Sequence, residues 1–401
     1  MKGKQISSVC AVLFGFFIMG FCDIVGISSD YAKDAFGWSD TMAGFVPSMV
    51  FVWFLFFSVP VGVLMNRWGR KTMTMVSLIV TIVGMLIPLL RTSWACLAGY
   101  AFLGIGNAIM QVSLNPLLEN LVTDRKMLTS SLTAGQVVKA VSSFCGPFIM
   151  LFAVQVLGGG NKENWYLAFP VLGAITLISA LWLGFSSIPH EPVTADASGL
   201  SVSSGVNQTF SLLRNKSVFL LFLGIFFVVG IDVGTNFISS KIMIQRFAWD
   251  TTEAGVATQT YFISRTVGAF LGMFIMTKVS SVSYFRYNIL LCIVAVLLLA
   301  LVRNAVVDMV CIGGIGFLCS CVFPIIYSMA LKAEPTKGNL ISGLMITAVA
   351  GGGAVPPMIG LATDTFSDIT AGVIILLLCA FYLTFCAYYK QSRDGMSGER
   401  A

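Results

Sequence analysis

Long apolar runs separated by short polar breaks dominate the hydrophobic pattern of this chain. Most runs match the length of about 20 residues that an α-helix needs to cross a bilayer. They do not alternate between polar and apolar positions, as the strands of a membrane barrel would. Charges, glycines and prolines mark the breaks. The pattern predicts an all-α membrane protein with twelve transmembrane helices, near residues 6–29, 42–65, 72–90, 94–122, 129–157, 165–187, 217–245, 253–277, 284–302, 306–331, 338–363 and 369–389.

The composition supports a membrane protein and excludes most enzyme classes. Of the 401 residues, 57% are hydrophobic and 10% are charged, whereas soluble domains carry about 25% charged residues. The 10 cysteines lie in apolar runs and His190 is the single histidine of the sequence, which disfavours a metal site, so we interpret the cysteines as packing residues. The sequence contains no nucleophile–base pair and no nucleotide-binding loop. We therefore predict that the protein is not an enzyme and binds neither a cofactor nor a nucleic acid.

A polar connection divides the predicted helices into two sets of six. Residues 188–216 are rich in Ser, Val, Thr and Pro, which is typical of a flexible linker. The predicted domains are an N-terminal six-helix bundle, 1–187, and a C-terminal bundle, 217–401. Most of the 24 Lys and Arg residues fall on the linker's side of the membrane when both termini are placed there. By the positive-inside rule, that side is the cytoplasm.

The two halves repeat a short motif. Residues 16–23 read FFIMGFCD and residues 226–232 read FFVVGID, so each half places an aspartate just after Phe-Phe-x-x-Gly. Parallel six-helix repeats are typical of transporters that bind substrate between the halves, near the membrane midplane. We therefore expect Asp23 and Asp232 to face one central cavity.

Four ionisable residues are expected inside the predicted helices: Asp23, Lys139, Asp232 and Arg265. A charge in the hydrocarbon core costs about 3 kcal/mol or more unless it faces a partner or a polar cavity. One interpretation is that they form two structural ion pairs between helices. The other assigns the coupled proton to Asp23 or Asp232, with Asp23 preferred because it lies nearest the outer mouth. Lys139 or Arg265 would then hold the substrate or release an aspartate when substrate arrives.

Amide and aromatic side chains accompany these charges. Gln136 and Lys139 share a helix face at i, i+3, as do Asp232 and Asn236 at i, i+4. Amides both donate and accept hydrogen bonds, which suits a hydroxyl-rich ligand, although the same groups can join neighbouring helices. The predicted substrate-binding residues are Gln111, Gln136, Lys139, Asn236, Gln259, Tyr261 and Arg265.

The loop between the second and third predicted helices resembles a family signature. Residues 62–71, GVLMNRWGRK, look like the signature loop of the major facilitator superfamily, which sets a helix end against cationic side chains. Such a loop can hold the cytoplasmic gate closed. Asn66 stands where the family usually has aspartate, so this closing contact is either weaker here or relies on another acidic residue. We expect Glu119 to pair with an arginine of this loop. The predicted cytoplasmic gate consists of Asn66, Arg67, Arg70 and Lys71.

Along its whole length the chain is similar to the fucose/glucose–galactose proton symporters of this superfamily. The most specific blocks are FPIIYSMAL at 323–331 and GGGAVPPMIG at 351–360. The resemblance implies the major facilitator fold and proton-coupled sugar uptake across a bacterial inner membrane. It also implies that Asp23 inherits a role in substrate and proton handling. The chain departs from the L-fucose symporter at Gln111, where that protein has glutamate, and at Lys139, where it has asparagine.

These two departures leave the substrate open. A more positive cavity suits an anionic sugar, whereas Lys139 could instead neutralise an aspartate beside a neutral sugar. The alternatives to sugar–proton symport are an organic-anion or sugar-acid transporter or exchanger, with Lys139 and Arg265 as anion contacts, and a non-transporting sugar sensor. We expect a monomer in the lipid bilayer. Its coupling ion is predicted to be a proton, with sodium as the open alternative.

Overall fold

The described part of the chain folds into helices. The computed structural model describes residues 2–23, 28, 31–32, 35–38, 40–122, 127–188, 202–249 and 251–389; within them it omits the side chains of residues 2–5, 23, 40–49, 147, 162, 202 and 251–252. The described residues form no strand. In chain order the α-helices are α1 (Lys2–Met19), α2 (Asp40–Trp68), α3 (Arg70–Leu86), α4 (Ser93–Leu121), α5 (Leu128–Phe152), α6 (Ala168–Phe185), α7 (Val202–Ser211), α8 (Lys216–Phe247), α9 (Thr251–Ile275), α10 (Ser281–Leu301), α11 (Ala305–Cys319), α12 (Val322–Ala333), α13 (Gly338–Thr347), α14 (Gly351–Phe366) and α15 (Ile369–Tyr388).

Short 3-10 and π-helical turns extend several of these helices. Gly20–Asp23 follows α1 as a 3-10 turn, and Ile87–Leu90 extends α3 in the same way. Ala153–Leu157 continues α5 as a π-helical turn, and the 3-10 segment Lys162–Leu167 leads into α6. With these extensions the helices reach the lengths that the apolar runs predict.

The helices are long and apolar enough for a multi-pass membrane protein. Among the described residues, ten helical segments meet the length and hydropathy required of a membrane span, and Ile6–Cys22 is a shorter apolar helix. Helix α9 occupies the eighth predicted span. The helical segments therefore occupy all twelve predicted positions.

The structure divides into two compact units. The first contains Met1–Thr123, Gly135–Phe210 and Gly338–Thr347, and the second contains the remaining residues. This division differs from a simple cut at the linker, because α13 belongs to the first unit and the first turns of α5 belong to the second. The linker also contains a helix, α7, in which Gly205 packs against Val63 and Thr209 is buried.

The repeated Phe-Phe-x-x-Gly motif has the same packing role in each unit. In the first, Gly20 lies so close to α5 that a Cβ atom there would sit 2.6 Å from the carbonyl oxygen of Lys139. In the second, a Cβ atom on Gly230 of α8 would overlap the side chain of Val355 on α14. Only glycine permits this approach, since any larger residue would push the helices apart. The glycine of the motif thus marks a close helix–helix contact in each unit.

Candidate functional site

A carboxylate, a guanidinium and a phenol meet on two helices of the second unit. Asp232 on α8 and Arg265 on α9 form an ion pair, with 2.8 Å between Oδ2 and Nη2. Tyr261, about one turn before Arg265, donates a hydrogen bond from its hydroxyl to Oδ1 of Asp232. Both carboxylate oxygens are therefore occupied by donors. We call these three residues the Asp232 cluster.

The Asp232 cluster is partly accessible. The Asp232 and Arg265 side chains are 26% and 33% exposed, whereas Tyr261 is 1% exposed and forms the buried wall. Burying an ion pair completely can cost more in lost hydration than the attraction returns, and the partial exposure of these two side chains reduces that cost. The exposed edge leaves room for a small molecule or a proton donor to reach both charges.

The remaining predicted residues of the second unit lie on the same two helices. Asn236 follows Asp232 by about one turn on α8 and is half-buried. Gln259 lies on α9 ahead of Tyr261 and is exposed. The structure thus brings three predicted residues into direct contact and leaves these two amides nearby along their helices.

The predicted residues of the first unit lie on α4, on α5 and at the end of α1. Gln136 and Lys139 are half-buried on this helix, and Gln111 on α4 is 7% exposed. The close approach of Gly20 to the Lys139 carbonyl brings the end of α1 to the same place. Asp23 ends the 3-10 turn that follows. Its side chain lies outside the described residues, so its role stays a prediction.

Arg70 is the centre of the predicted gate. Its Nε donates to Oδ1 of Asn339 at 2.7 Å, and its Nη1 donates to the carbonyl oxygen of Pro116 at 2.7 Å and to Oδ1 of Asn120. Glu119 lies 3.8 Å from the same nitrogen, which confirms the predicted pairing of Glu119 with a loop arginine. These contacts join α3, α4 and α13 within the first unit.

The other gate residues support this arrangement. Asn66 accepts a hydrogen bond from Nδ2 of Asn339 at 2.8 Å, so an amide pair stands where the family signature has a carboxylate. Lys71 donates to the carbonyl oxygens of Gly184 and Ser186, at 3.0 and 2.8 Å. Arg67 is half-buried on the last turn of α2. Gating itself remains a prediction for all four residues.

A second ion pair, between Arg246 and Asp308, escaped the sequence analysis. Nη1 of Arg246 donates to Oδ2 of Asp308 at 2.9 Å and to the carbonyl oxygen of Leu299 at 2.7 Å, and Nη2 donates to Oγ1 of Thr370 at 3.1 Å. The ionic side chains are 3% and 0% exposed. Both lie at helix ends, where charged residues usually face water, so neither stands out in the sequence. The pair joins the ends of α8, α10, α11 and α15.

Comparisons with known proteins agree with this fold. The Major Facilitator Superfamily model matches residues 9–357. A putative glucose/galactose transporter of Helicobacter pylori is 30% identical over 190 residues, which cover 46% of each chain, so the match spans about half of that relative's length. A glucose/galactose transporter of Brucella abortus is 24% identical over 383 residues, covering 92% of this chain and 90% of the relative.

A solved structure shows the same architecture. The Escherichia coli fucose:proton symporter, FucP, superposes with a TM-score of 0.82 at 17% identity, covering 96% of this chain and 98% of that chain. At this identity the likeness shows the fold alone, and it confirms the predicted all-α major facilitator architecture. The family consists of membrane transporters, which also confirms that the protein is not an enzyme. The chain therefore belongs to the Major Facilitator Superfamily.

Proposed function

We propose that this protein imports a sugar or sugar derivative together with protons, by alternating access, across a bacterial inner membrane with both termini in the cytoplasm. The names of its relatives, glucose/galactose transporters, support the substrate class. The fucose:proton symport named for FucP supports the coupling ion. The observation that carries the mechanism is the partly exposed Asp232 cluster.

The Asp232 cluster can couple a proton to a substrate. Arg265 and Tyr261 each donate to one carboxylate oxygen, so both oxygens of Asp232 are engaged while the cluster is closed. A proton that binds Oδ2 removes the charge that holds Arg265. The guanidinium then turns its N–H donors toward substrate hydroxyls, which accept such bonds well. Because coupling is reciprocal, a substrate that binds Arg265 also favours protonation of Asp232.

The other predicted residues complete the proposal. Asp23 is the preferred proton carrier, and Gln111, Gln136, Asn236 and Gln259 would form hydrogen bonds with sugar hydroxyls. Lys139 would balance the charge of an aspartate. The second candidate function is transport or exchange of a sugar acid or organic anion, with Lys139 and Arg265 as anion contacts, and the partial exposure of the Arg265 side chain is compatible with it.

Uptake into proteoliposomes tests the proposal. We expect an outside-acid pH gradient to drive accumulation of radiolabelled D-glucose or D-galactose, and a protonophore to abolish it. Asp23→Asn and Asp232→Asn should each lose accumulation, while counterflow exchange continues, because exchange requires no net proton movement. Arg303→Gln, at an exposed position on a helix connection, is the matched control and should transport normally.

The same assay separates the alternatives. Accumulation that requires a sodium gradient and ignores the pH gradient would reject proton coupling. Uptake of glucuronate but of no neutral sugar, lost in Lys139→Asn, would establish the sugar-acid transporter. Binding of sugar without uptake or exchange would make the protein a sensor.

A further inference from the structure

An aromatic pocket lies in the first unit, where α3 ends and α4 begins. Its cavity measures about 580 Å³, within the range of small-molecule binding sites. The residues that matter here are Tyr31, Phe36, Arg91, Glu163, Trp165 and Tyr166. We call this cavity the Arg91 pocket. In the predicted orientation it opens on the outer side of the membrane.

The Arg91 pocket is distant from the predicted substrate residues. Cys96, in the first turns of α4, is part of its lining. Gln111 lies fifteen residues further along the same helix, which corresponds to about 22 Å at 1.5 Å per residue. The pocket is thus a separate site and not an extension of the one near the middle of the helices.

One wall of the pocket is held in place by a chain of contacts. The Arg91 guanidinium lies over the Tyr166 ring, 4.1 Å from its centroid. The Tyr166 hydroxyl donates to Oδ1 of Asn164 at 3.0 Å, and Nδ2 of Asn164 donates to the carbonyl oxygen of Gly158 at 3.0 Å. A fixed wall lowers the ordering cost that a ligand must overcome.

The opposite charge and a second aromatic surface come from neighbouring residues. Oδ1 of Asn161 accepts a hydrogen bond from the backbone N–H of Glu163 at 2.9 Å, which fixes the start of the 3-10 segment that carries this carboxylate. Trp165 meets Phe36 edge to face, with 6.5 Å between ring centroids, and packs against Phe169 at 5.8 Å. Aromatic rings thus line a cavity whose wall also carries a carboxylate, Glu163, and a guanidinium, Arg91.

This combination favours a neutral, hydroxyl-rich ligand. Hydroxyl groups donate to a carboxylate and accept from a guanidinium, so one sugar can satisfy both Glu163 and Arg91, whereas a simple anion would be repelled by Glu163 and a simple cation by Arg91. The apolar C–H faces of a pyranose ring can lie flat on aromatic side chains. We propose that the Arg91 pocket is a second carbohydrate-binding site, which takes a mono- or disaccharide. The site goes beyond the proposed transport function and does not depend on it.

Equilibrium dialysis with radiolabelled D-galactose and lactose measures sugar binding to this site. The full-length protein is used in detergent micelles that contain no phospholipid. Arg91 has φ 54° and ψ 34°, a left-handed conformation that asparagine tolerates. Arg91→Asn therefore removes the guanidinium without straining the backbone. Glu163→Gln removes the opposite charge at an exposed position. Arg303→Asn removes an exposed arginine outside the pocket and is the matched control.

We expect Arg91→Asn and Glu163→Gln each to raise the dissociation constant of one of the sugar-binding sites at least about tenfold. This is the effect of losing one charge-assisted hydrogen bond. Asp232→Asn should retain sugar binding at that site, and Arg303→Asn should bind sugar as the wild type does. If galactose and lactose binding is the same in Arg91→Asn, Glu163→Gln and the wild type, the proposal is wrong.

A zwitterionic lipid headgroup is the competing occupant, since its phosphate would match Arg91 and its amine Glu163. Native mass spectrometry with phosphatidylethanolamine measures this directly. Lipid binding that requires Arg91, without sugar binding that requires Arg91, would overturn the carbohydrate site. Failure of proton-driven uptake would reject the proposed transport function while leaving Arg91-dependent sugar binding intact, so the two failures are distinguishable.

Discussion

Removing Arg246 should destabilise the protein far more than removing an ordinary surface arginine. Arg246→Ala would leave the Asp308 carboxylate without a cation at a position that is 0% exposed. Oδ1 of Asp308 has no hydrogen-bond partner among the described residues even in the intact pair. Breaking a buried ion pair by removing one partner costs about 3–5 kcal/mol. We expect Arg246→Ala to lower the free energy of unfolding by about that amount.

The chain offers a matched control at the same end of the second unit. Arg303 and Asp368 form an ion pair at 3.5 Å whose side chains are 65% and 46% exposed. Exposed pairs contribute about 0–1 kcal/mol, because water screens them and both side chains lose freedom. Arg303→Ala should therefore change stability by less than about 1 kcal/mol. The two variants remove the same side-chain type and differ chiefly in burial.

Unfolding in mixed micelles by titration with sodium dodecyl sulfate, followed by tryptophan fluorescence, measures these free energies. A double variant, Arg246→Met with Asp308→Leu, separates charge from packing. We expect it to be much closer to the wild type than Arg246→Ala, since an apolar pair avoids the cost of burying charge. Equal effects of Arg246→Ala and Arg303→Ala would refute the reasoning, as would a double variant no more stable than Arg246→Ala.

Two further predictions concern helix packing and helix capping. A Cβ atom on Gly351 would overlap the carbonyl oxygen of Phe226, while one on Gly360 would meet nothing within 4 Å. Gly351→Ala should therefore lower the free energy of unfolding by about 1–3 kcal/mol, whereas Gly360→Ala should be neutral or stabilising. The same detergent titration measures both variants. Oδ1 of Asp368 accepts from the N–H of Thr370 at 2.8 Å, which lowers the pKa of that carboxyl. Its stabilising effect is thus complete above the ordinary pKa of about 4 and is lost as pH falls through the lowered value. Asp368→Ala should cost about 1 kcal/mol at pH 7, with a difference from the wild type that shrinks in acid; a difference independent of pH would contradict this.

The helices were predictable because their limits coincide with charges, prolines and glycines. The predicted span 72–90 corresponds to α3 with its 3-10 extension Ile87–Leu90. Helix α7 was missed because serines and a glycine reduce its intrinsic helix propensity, and the contact of Gly205 with Val63 becomes visible only in the folded chain.

The site was predictable in its residues and less so in its pairings. Sequence periodicity showed that Asp232 and Arg265 would lie inside helices, yet four charges allow more than one arrangement. The structure pairs these two. Arg246 and Asp308 lie 62 positions apart, and each resembles a solvated helix-end charge. Whether such residues meet depends on how the helices pack against one another. The periodicity of a single helix carries no information about that packing.

The two copies of the Phe-Phe-x-x-Gly motif share a close helix contact, but the charged surroundings of their aspartates are not implied to be the same. Gly20 and Gly230 each allow a neighbouring helix to approach closely, but Gly20 meets the backbone of Lys139 and Gly230 meets the apolar side chain of Val355. In the second unit the cation that pairs with Asp232 comes from another helix. Close packing at these two positions needs only a glycine, whereas the role of a carboxylate depends on which charges surround it. Matching positions in the repeat therefore do not imply matching roles, and each aspartate has to be tested by its own substitution.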